Sequence, residues 1–379
     1  MREGGINLKV LFITNVPFPY TVDYLEELGK YCELVAVFER KSSSERDKSW
    51  DFYKFKNCKA IILKGIHFGV EASINLSIVS QIRKQKADII LISNPCTPTG
   101  IIAQEYMRIH KIPYCIQSEG AFVGTGWGLK ERLKHHVMKN ADLYFSTGKA
   151  QDDYFLKYGA EIEQLRRFPF TTMHENEILN KMLSKEYKEQ IKENLGLDKK
   201  FVLLTIGQFI PRKGIIYLLQ AIAGMKADIQ VIIIGGESKP EYEQLCEEIS
   251  LQNVLFKNFM NKQSLLEYYK AADLFVLPTL YDTWGLVNLE AMSMGVPVIS
   301  TTTCVSAITL IEDEKNGYVV PPANANALKE KIEILYNDEE KRLRMGECAL
   351  QRMQHYSIER MAIEVYGEIE KKYIEREKA

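Results

Sequence analysis

The chain has 379 residues, of which 46% are hydrophobic and 26% charged, and its formal net charge is −1. That composition excludes a disordered or fibrous protein, and the length suits two or three domains rather than one. The charge sum speaks against a polyanion-binding surface, nucleic acid included, but it conceals a split: residues 1–170 carry 24 Lys+Arg and 19 Asp+Glu, and residues 171–379 carry 25 and 31. The first half is therefore +5 and the second −6.

Short apolar runs alternate with helical periodicity, the pattern of an α/β, doubly wound parallel sheet. Strands are expected over 9–14, 33–38, 60–64, 88–93, 114–118 and 142–146, with helices over 22–30, 75–86 and 100–111. The runs are nearly continuous in Val, Ile and Leu, as strands buried on both faces should be. A polar stretch, 173–200, offers no strand. The alternation then restarts, with strands over 201–207, 230–235, 254–258, 274–278, 297–301 and 317–320. Helices are expected over 214–225, 241–249, 263–271 and 286–294, and a closing helical pattern over 325–377 breaks near Tyr356-Ser357. Two six-stranded windings read as two Rossmann-like domains, about 1–170 and 171–360, facing each other across a cleft. Such sheets bind ligands beyond the carboxyl ends of their strands. The loops of interest are therefore 14–20, 94–100, 119–128, 207–214, 235–240, 258–262 and 278–285.

Seven scattered cysteines without a C-x-x-C read as buried free thiols in a reducing compartment. The start, Met1-Arg2-Glu3-Gly4-Gly5, lacks the apolar region of a signal peptide, and no run approaches the ~20 apolar residues of a membrane span. The expected location is the cytoplasm, free or peripheral on the inner face of the cell membrane.

No loop matches the dinucleotide or Walker glycine patterns. The first βα turn, Thr14-Asn15-Val16-Pro17-Phe18-Pro19-Tyr20, has no glycine, and Gly207-Gln208-Phe209-Ile210-Pro211-Arg212-Lys213-Gly214 lacks G-K-[ST]. H-E-x-x-H is absent, no Asp-x-Asp stands in a metal-site context and the six histidines show no ligand spacing, so no metal is expected. The most informative segment runs from Leu274 to Ser300. A buried strand ends in a polar loop, a helix follows, and Gly295-Val296-Pro297 stops it. Asp282 precedes the helix and Glu290 lies within it. Free amides and the positive dipole end at a helix start suit a phosphate or a sugar hydroxyl, and Glu290 suits a diol. Equally open from local physics are an N-cap role for Asp282 and a buried salt bridge for Glu290.

This segment resembles the E-x7-E motif of the retaining nucleotide-sugar glycosyltransferases of family 4, which have the GT-B fold. Gly207…Arg212-Lys213-Gly214 resembles the same family's phosphate-gripping loop, and Asn316-Gly317-Tyr318-Val319-Val320-Pro321-Pro322 resembles its late strand. The resemblance implies that Glu290 binds the donor's ribose and that Asp282, a glutamate in the family, contacts the transferred sugar. The backbone of Thr283, Trp284, Gly285 and Leu286 would hold sugar and diphosphate, Lys213 the diphosphate, and the backbone of Asn258, Phe259 and Met260 the base. Asn15, at the first strand's end, joins the donor-binding set. No cofactor or metal is required. The donor is a nucleotide sugar, UDP preferred over GDP, and the acceptor a glycan, lipid-linked, of capsule, exopolysaccharide or lipopolysaccharide type. The helix 361–379 would return to the first domain.

Two departures stand out. Gln208 replaces an arginine of the phosphate loop; Arg212 is either its substitute or a surface residue. Glu119-Gly120 stands where the family often has a histidine, so Glu119 is a hydroxyl ligand, a base toward the acceptor, or a plain loop carboxylate. The basic stretch Trp127–Lys139 places Leu129, Leu133 and Val137 at helical spacing. It reads as a helix packed on its sheet, or as one that also meets anionic lipid, with Phe122, Val123 and Trp127 beside it. Rival readings on the same fold are an epimerase, a sugar-phosphate-using synthase and a non-catalytic nucleotide-sugar sensor.

Overall fold

The computed structural model describes residues 7–42, 54–68, 72–124, 126, 128–197, 201–223, 225, 227–237 and 240–378. Trp127 of the basic stretch lies outside them. The chain forms two compact units, Met1–Thr171 with Ile358–Ala379, and Thr172–Ser357.

The first unit contains β1 (Lys9–Thr14), β2 (Glu33–Phe38), β3 (Cys58–Ile62), β4 (Ile66–Phe68), β5 (Ala72–Ile74), β6 (Ile89–Ile92), β7 (Tyr114–Gln117), β8 (Leu143–Ser146) and β9 (Leu165–Arg167). Seven of these form a parallel sheet in the order β3-β2-β1-β6-β7-β8-β9. The antiparallel pair β4-β5 stands apart. Neither that hairpin nor β9 is signalled by sequence. The β9 segment, Leu165-Arg166-Arg167, is too short and too charged to read as a strand. Its arginines are held by ion pairs, Arg166 to Glu368 at 2.6 Å and Arg167 to Asp152 at 2.7 Å. Helices α1 (Pro19–Leu28), α2 (Ser77–Gln85), α3 (Pro98–His110), α4 (Leu129–Met138) and α5 (Lys149–Lys157) connect the strands. Pro19 and Pro98 open α1 and α3, where a missing N–H and a fixed φ cost nothing, and Thr97 caps α3 by accepting from Gly100 N at 3.0 Å.

The second unit contains β10 (Phe201–Ile206), β11 (Ile229–Ile234), β12 (Val254–Lys257), β13 (Leu274–Leu277), β14 (Val298–Thr301) and β15 (Gly317–Val320). They form a parallel sheet in the order β12-β11-β10-β13-β14-β15. Its helices are α6 (Lys185–Asn194), α7 (Ile215–Ala223), α8 (Pro240–Glu248), α9 (Lys262–Ala271), α10 (Leu286–Ser293), α11 (Val305–Leu310), α12 (Ala325–Asn337) and α13 (Glu339–Met353). The chain then returns to the first unit as α14 (Ile358–Lys378), which packs along α1. The closing helical pattern has a second break, at Asp338, whose side chain caps α13 by accepting from Lys341 N at 2.8 Å.

Each sheet starts at its centre, with β1 beside β6 and β10 beside β13, so the winding reverses direction there. A reversal leaves a crevice at the carboxyl ends of the two central strands. The polar stretch before β10 has a structural task. On α6, Lys188 and Lys192 reach the buried carboxylate of Asp273 at 2.9 and 2.8 Å. Asp273 also accepts from Val202 N at 2.8 Å, which ties the start of β13 to β10. Burial pushes the Asp273 carboxyl up, but the two ammonium groups outweigh it and hold it below the usual aspartate range. The linked stabilisation is therefore complete above the unfolded pKa of about 3.9 and is lost as pH falls through the lower folded value. Asp273→Asn removes the carboxylate that the two enclosed ammonium groups share. We expect it to cost about 3 kcal/mol in urea unfolding at pH 7, with the gap to wild type narrowing as pH falls below the unfolded aspartate value of about 3.9.

Candidate active site in the second unit

The crevice between β10 and β13 is built from the loops that follow them. After β10 the chain makes a single 3-10 turn, Pro211–Lys213, closed by Gly214 at φ 67°. A Cβ on Gly214 would lie 2.1 Å from the carbonyl oxygen of Pro278, so this left-handed position also lets the loop touch the end of β13. The two loops are stitched by Leu280 N, which donates to Arg212 O at 2.8 Å, and by Thr279 Oγ1, which donates to the same oxygen at 3.0 Å. The Lys213 stem passes over Gly207.

Lys213 Nζ ends 2.5 Å from Asp282 Oδ2, and both groups are largely buried. The Arg212 guanidinium lies 3.9 Å from the same oxygen but donates to Tyr281 O at 2.9 Å, so it braces the loop from an exposed position. Asp282 is not the N-cap of α10. That place belongs to Gly285, at φ 89°, with no side-chain cap. A Cβ there would meet Cys304 Sγ at 2.6 Å. Asp282 is instead fixed by its backbone: its N–H donates to Thr303 O at 3.0 Å, and its own carbonyl accepts from Val305 N at 3.2 Å. Ser306 completes the frame, with N donating to Trp284 O at 2.9 Å and Oγ to Gly285 O at 3.0 Å. Buried Asn288 donates to Ser306 Oγ at 3.0 Å from within α10.

Glu290 lies deeper on the same helix. Its two oxygens accept from Thr172 Oγ1 at 2.9 Å and from the Tyr269 hydroxyl at 2.7 Å, so hydroxyls, not a cation, hold it. Burial, with Glu290 alongside, pushes the Tyr269 hydroxyl well above its ordinary pKa and keeps it a donor. Lys262 Nζ in turn donates to Thr172 O at 2.6 Å. An acceptor pair held by neutral donors can exchange them for the hydroxyls of a diol at little electrostatic cost.

The structure thus gathers Lys213, Arg212, Gln208 and residues 282–286 around one crevice, with Thr283 and Gln208 exposed, Leu286 half-buried and Trp284 buried. Asn258, Phe259 and Met260 follow β12, three strands from β13, the first two exposed and the third half-buried. In the first unit, Asn15 is buried at the end of β1, where its Oδ1 accepts from Val16 N at 2.7 Å. Glu119, after β7, accepts from the Tyr20 hydroxyl at 3.1 Å. Sequence reading missed Thr172, Tyr269, Thr303, Cys304 and Ser306. Asn288, inside the motif and polar on an apolar helix, was the one available signal.

Residues 187–352 match the family model of glycosyl transferases group 1. The chain is 29% identical to the alpha-D-kanosaminyltransferase of Streptomyces kanamyceticus over 57% of this chain and 56% of that protein. It is 28% identical to the capsular polysaccharide biosynthesis glycosyltransferase CapM of Staphylococcus aureus, over 46% of each. It therefore spans about half the length of these curated relatives. The crystal structure of HepE from Anabaena in complex with UDP superposes with a TM-score of 0.77 at 16% identity, over 96% of this chain and 99% of that one. The second unit of this chain is thus similar to the group 1 glycosyl transferases over residues 187–352, and the chain's two Rossmann-like sheets are those of the GT-B fold.

Proposed function

We propose that the protein transfers a sugar, with retention of configuration, from a nucleotide diphosphate sugar to a growing, lipid-linked glycan of capsule, exopolysaccharide or lipopolysaccharide type. The observation that carries this reading is the Lys213–Asp282 pair at the uncapped start of α10, with the hydroxyl-held Glu290 beyond it. UDP is the preferred nucleotide, in keeping with the UDP named for HepE, and GDP the second. CapM, a relative by sequence, is named for capsular polysaccharide.

In this reading Glu290 takes the ribose hydroxyls and the loop 258–260 the base. Lys213 turns from Asp282 to the diphosphate, whose charge grows as the glycosidic bond breaks. The first amides of α10 share that charge. Asp282, released from Lys213, accepts hydroxyls of the sugar and orients it. The acceptor hydroxyl attacks from the face the diphosphate leaves, with no protein nucleophile. Positioning and leaving-group stabilisation then supply the catalysis without a metal. No helix among the described residues is long and apolar enough to cross a membrane, and a lipid-linked acceptor places the enzyme peripherally on the inner face of the cell membrane.

The reading is tested by mixing the protein with UDP- and GDP-sugars and lipid-linked acceptors and assigning the product anomer by NMR; an inverted product overturns it. Activity should survive EDTA. Glu290→Gln should weaken UDP binding in calorimetry by roughly tenfold or more, the scale of a charge-assisted hydrogen bond of about 1.5–3 kcal/mol. Asp282→Asn should separate binding from chemistry: the diphosphate loses its competitor for Lys213, so UDP binds more tightly, while turnover falls because the sugar keeps only a neutral amide oxygen in place of the charged acceptor.

A further inference from the structure

The hairpin β4-β5 turns one whole face to solvent. In its register Ile66 faces Ile74, His67 faces Ser73 and Phe68 faces Ala72. Side chains alternate across a strand, so Ile66, Phe68, Ala72 and Ile74 share one face. Ile66 is 73% exposed and Phe68 44%, and Leu76, at the start of α2, is 73% exposed. An isolated two-stranded hairpin is marginal in water, yet this one is clamped from behind. Ser73 Oγ donates to the fully buried Glu39 at 2.7 Å, and Thr97 Oγ1 donates to the other oxygen of that carboxylate at 2.6 Å. Asn75 Nδ2 donates to Glu39 O at 3.2 Å and lies 3.1 Å from Thr99 Oγ1. The polar clamp fixes which face looks outward, and that face is apolar.

A second exposed apolar spot lies on the same side. On α4 only Val137 and Met138 are buried, so the helix does not pack along its full apolar stripe. Leu129 is 85% exposed and Leu133 is exposed as well. The sheet is parallel, so α2, α3 and α4 all begin at the carboxyl ends of its strands. The α3 helix touches β5 and α2, and it meets α4 near that helix's far end, where His136 lies 3.0 Å from Glu105; the hairpin and the start of α4 share the carboxyl edge of the sheet as their common rim. Charge follows the apolar groups. Residues 54–86 carry seven Lys+Arg, all exposed, against a single carboxylate, Glu71, between the two hairpin strands in sequence. Lys130 and Arg132 are exposed at the start of α4.

We infer that this rim is a lipid-docking surface, with the β4-β5 hairpin inserting Ile66 and Phe68 into an anionic bilayer and the start of α4 as a second contact. Apolar side chains that enter the interface, flanked by basic residues that stay at the headgroups, are what such binding needs. The inference rests on the proposed function for its purpose, since a lipid-linked acceptor lies in that bilayer, but not for its geometry.

The full-length chain, two charge variants (Ile66→Glu with Phe68→Glu, and Leu129→Glu with Leu133→Glu) and Phe68→Trp are compared on vesicles of phosphatidylcholine with and without phosphatidylglycerol. All replaced residues are exposed, and UDP binding with the thermal midpoint checks folding. The wild type should sediment with anionic vesicles, more weakly at high salt. The hairpin variant should lose roughly tenfold or more of that partition, and the Phe68→Trp emission should shift to the blue on anionic vesicles. A hairpin variant that partitions like wild type, or a Trp emission unmoved by vesicles, overturns the inference. A wild-type dimer that the hairpin variant dissolves also overturns it, because the face then belongs to a second copy. Sugar transfer to a soluble acceptor without any vesicle binding rejects the docking surface and leaves the donor chemistry intact. Vesicle binding without transfer does the reverse.

Discussion

Everything at the candidate site follows from the pairing of β10 with β13. Leu203 and Leu204 lie beside Leu274 and Phe275, and that adjacency reverses the winding of the sheet. Two loops far apart in sequence are thereby brought to one crevice, where Gly214 fits under Pro278 and Lys213 reaches Asp282. The pairing is itself anchored at the other end of the strands, by Asp273 between two lysines and Val202 N. A scaffold locked at its base can leave its rim polar and open, which is where chemistry needs exposed groups.

The Lys213–Asp282 pair gives the crevice a resting state. A lysine and a carboxylate in a half-enclosed site stabilise each other, so neither is an isolated buried charge in the empty protein. Under the proposed function, a diphosphate entering the site would compete with Asp282 for the ammonium and free the carboxylate. One exchange of partners would then prepare both the leaving-group contact and the sugar contact. The shorter side chain at position 282 fits this pairing: its backbone is fixed by Thr303 and Val305, so its reach is set by the fold.

The sheets were legible because buried parallel strands are continuous apolar runs; every main strand of the second unit begins and ends close to its expected bounds. The segments that escaped were those held by partners distant in sequence. Leu165-Arg166-Arg167 is a strand because Glu368 and Asp152 hold its arginines, and the β4-β5 hairpin stands because Glu39 anchors Ser73. Asp282, Lys213 and Glu290 could be singled out from spacing and resemblance, but not their mutual geometry.

By itself the sequence determined the fold class, the two windings and the second unit's likeness to group 1 glycosyl transferases, because these depend on local periodicity and on a short motif whose residues lie on one strand, loop and helix. Only the tertiary structure decided that Gly285, not Asp282, begins α10, that Asp282 faces Lys213, that hydroxyls of Thr172 and Tyr269 hold Glu290, and that Leu129 and Leu133 stay uncovered. Each of these depends on a partner brought near by strand order or on packing against a neighbour. Local pattern specifies what a residue can bond to, and the strand order specifies what it meets.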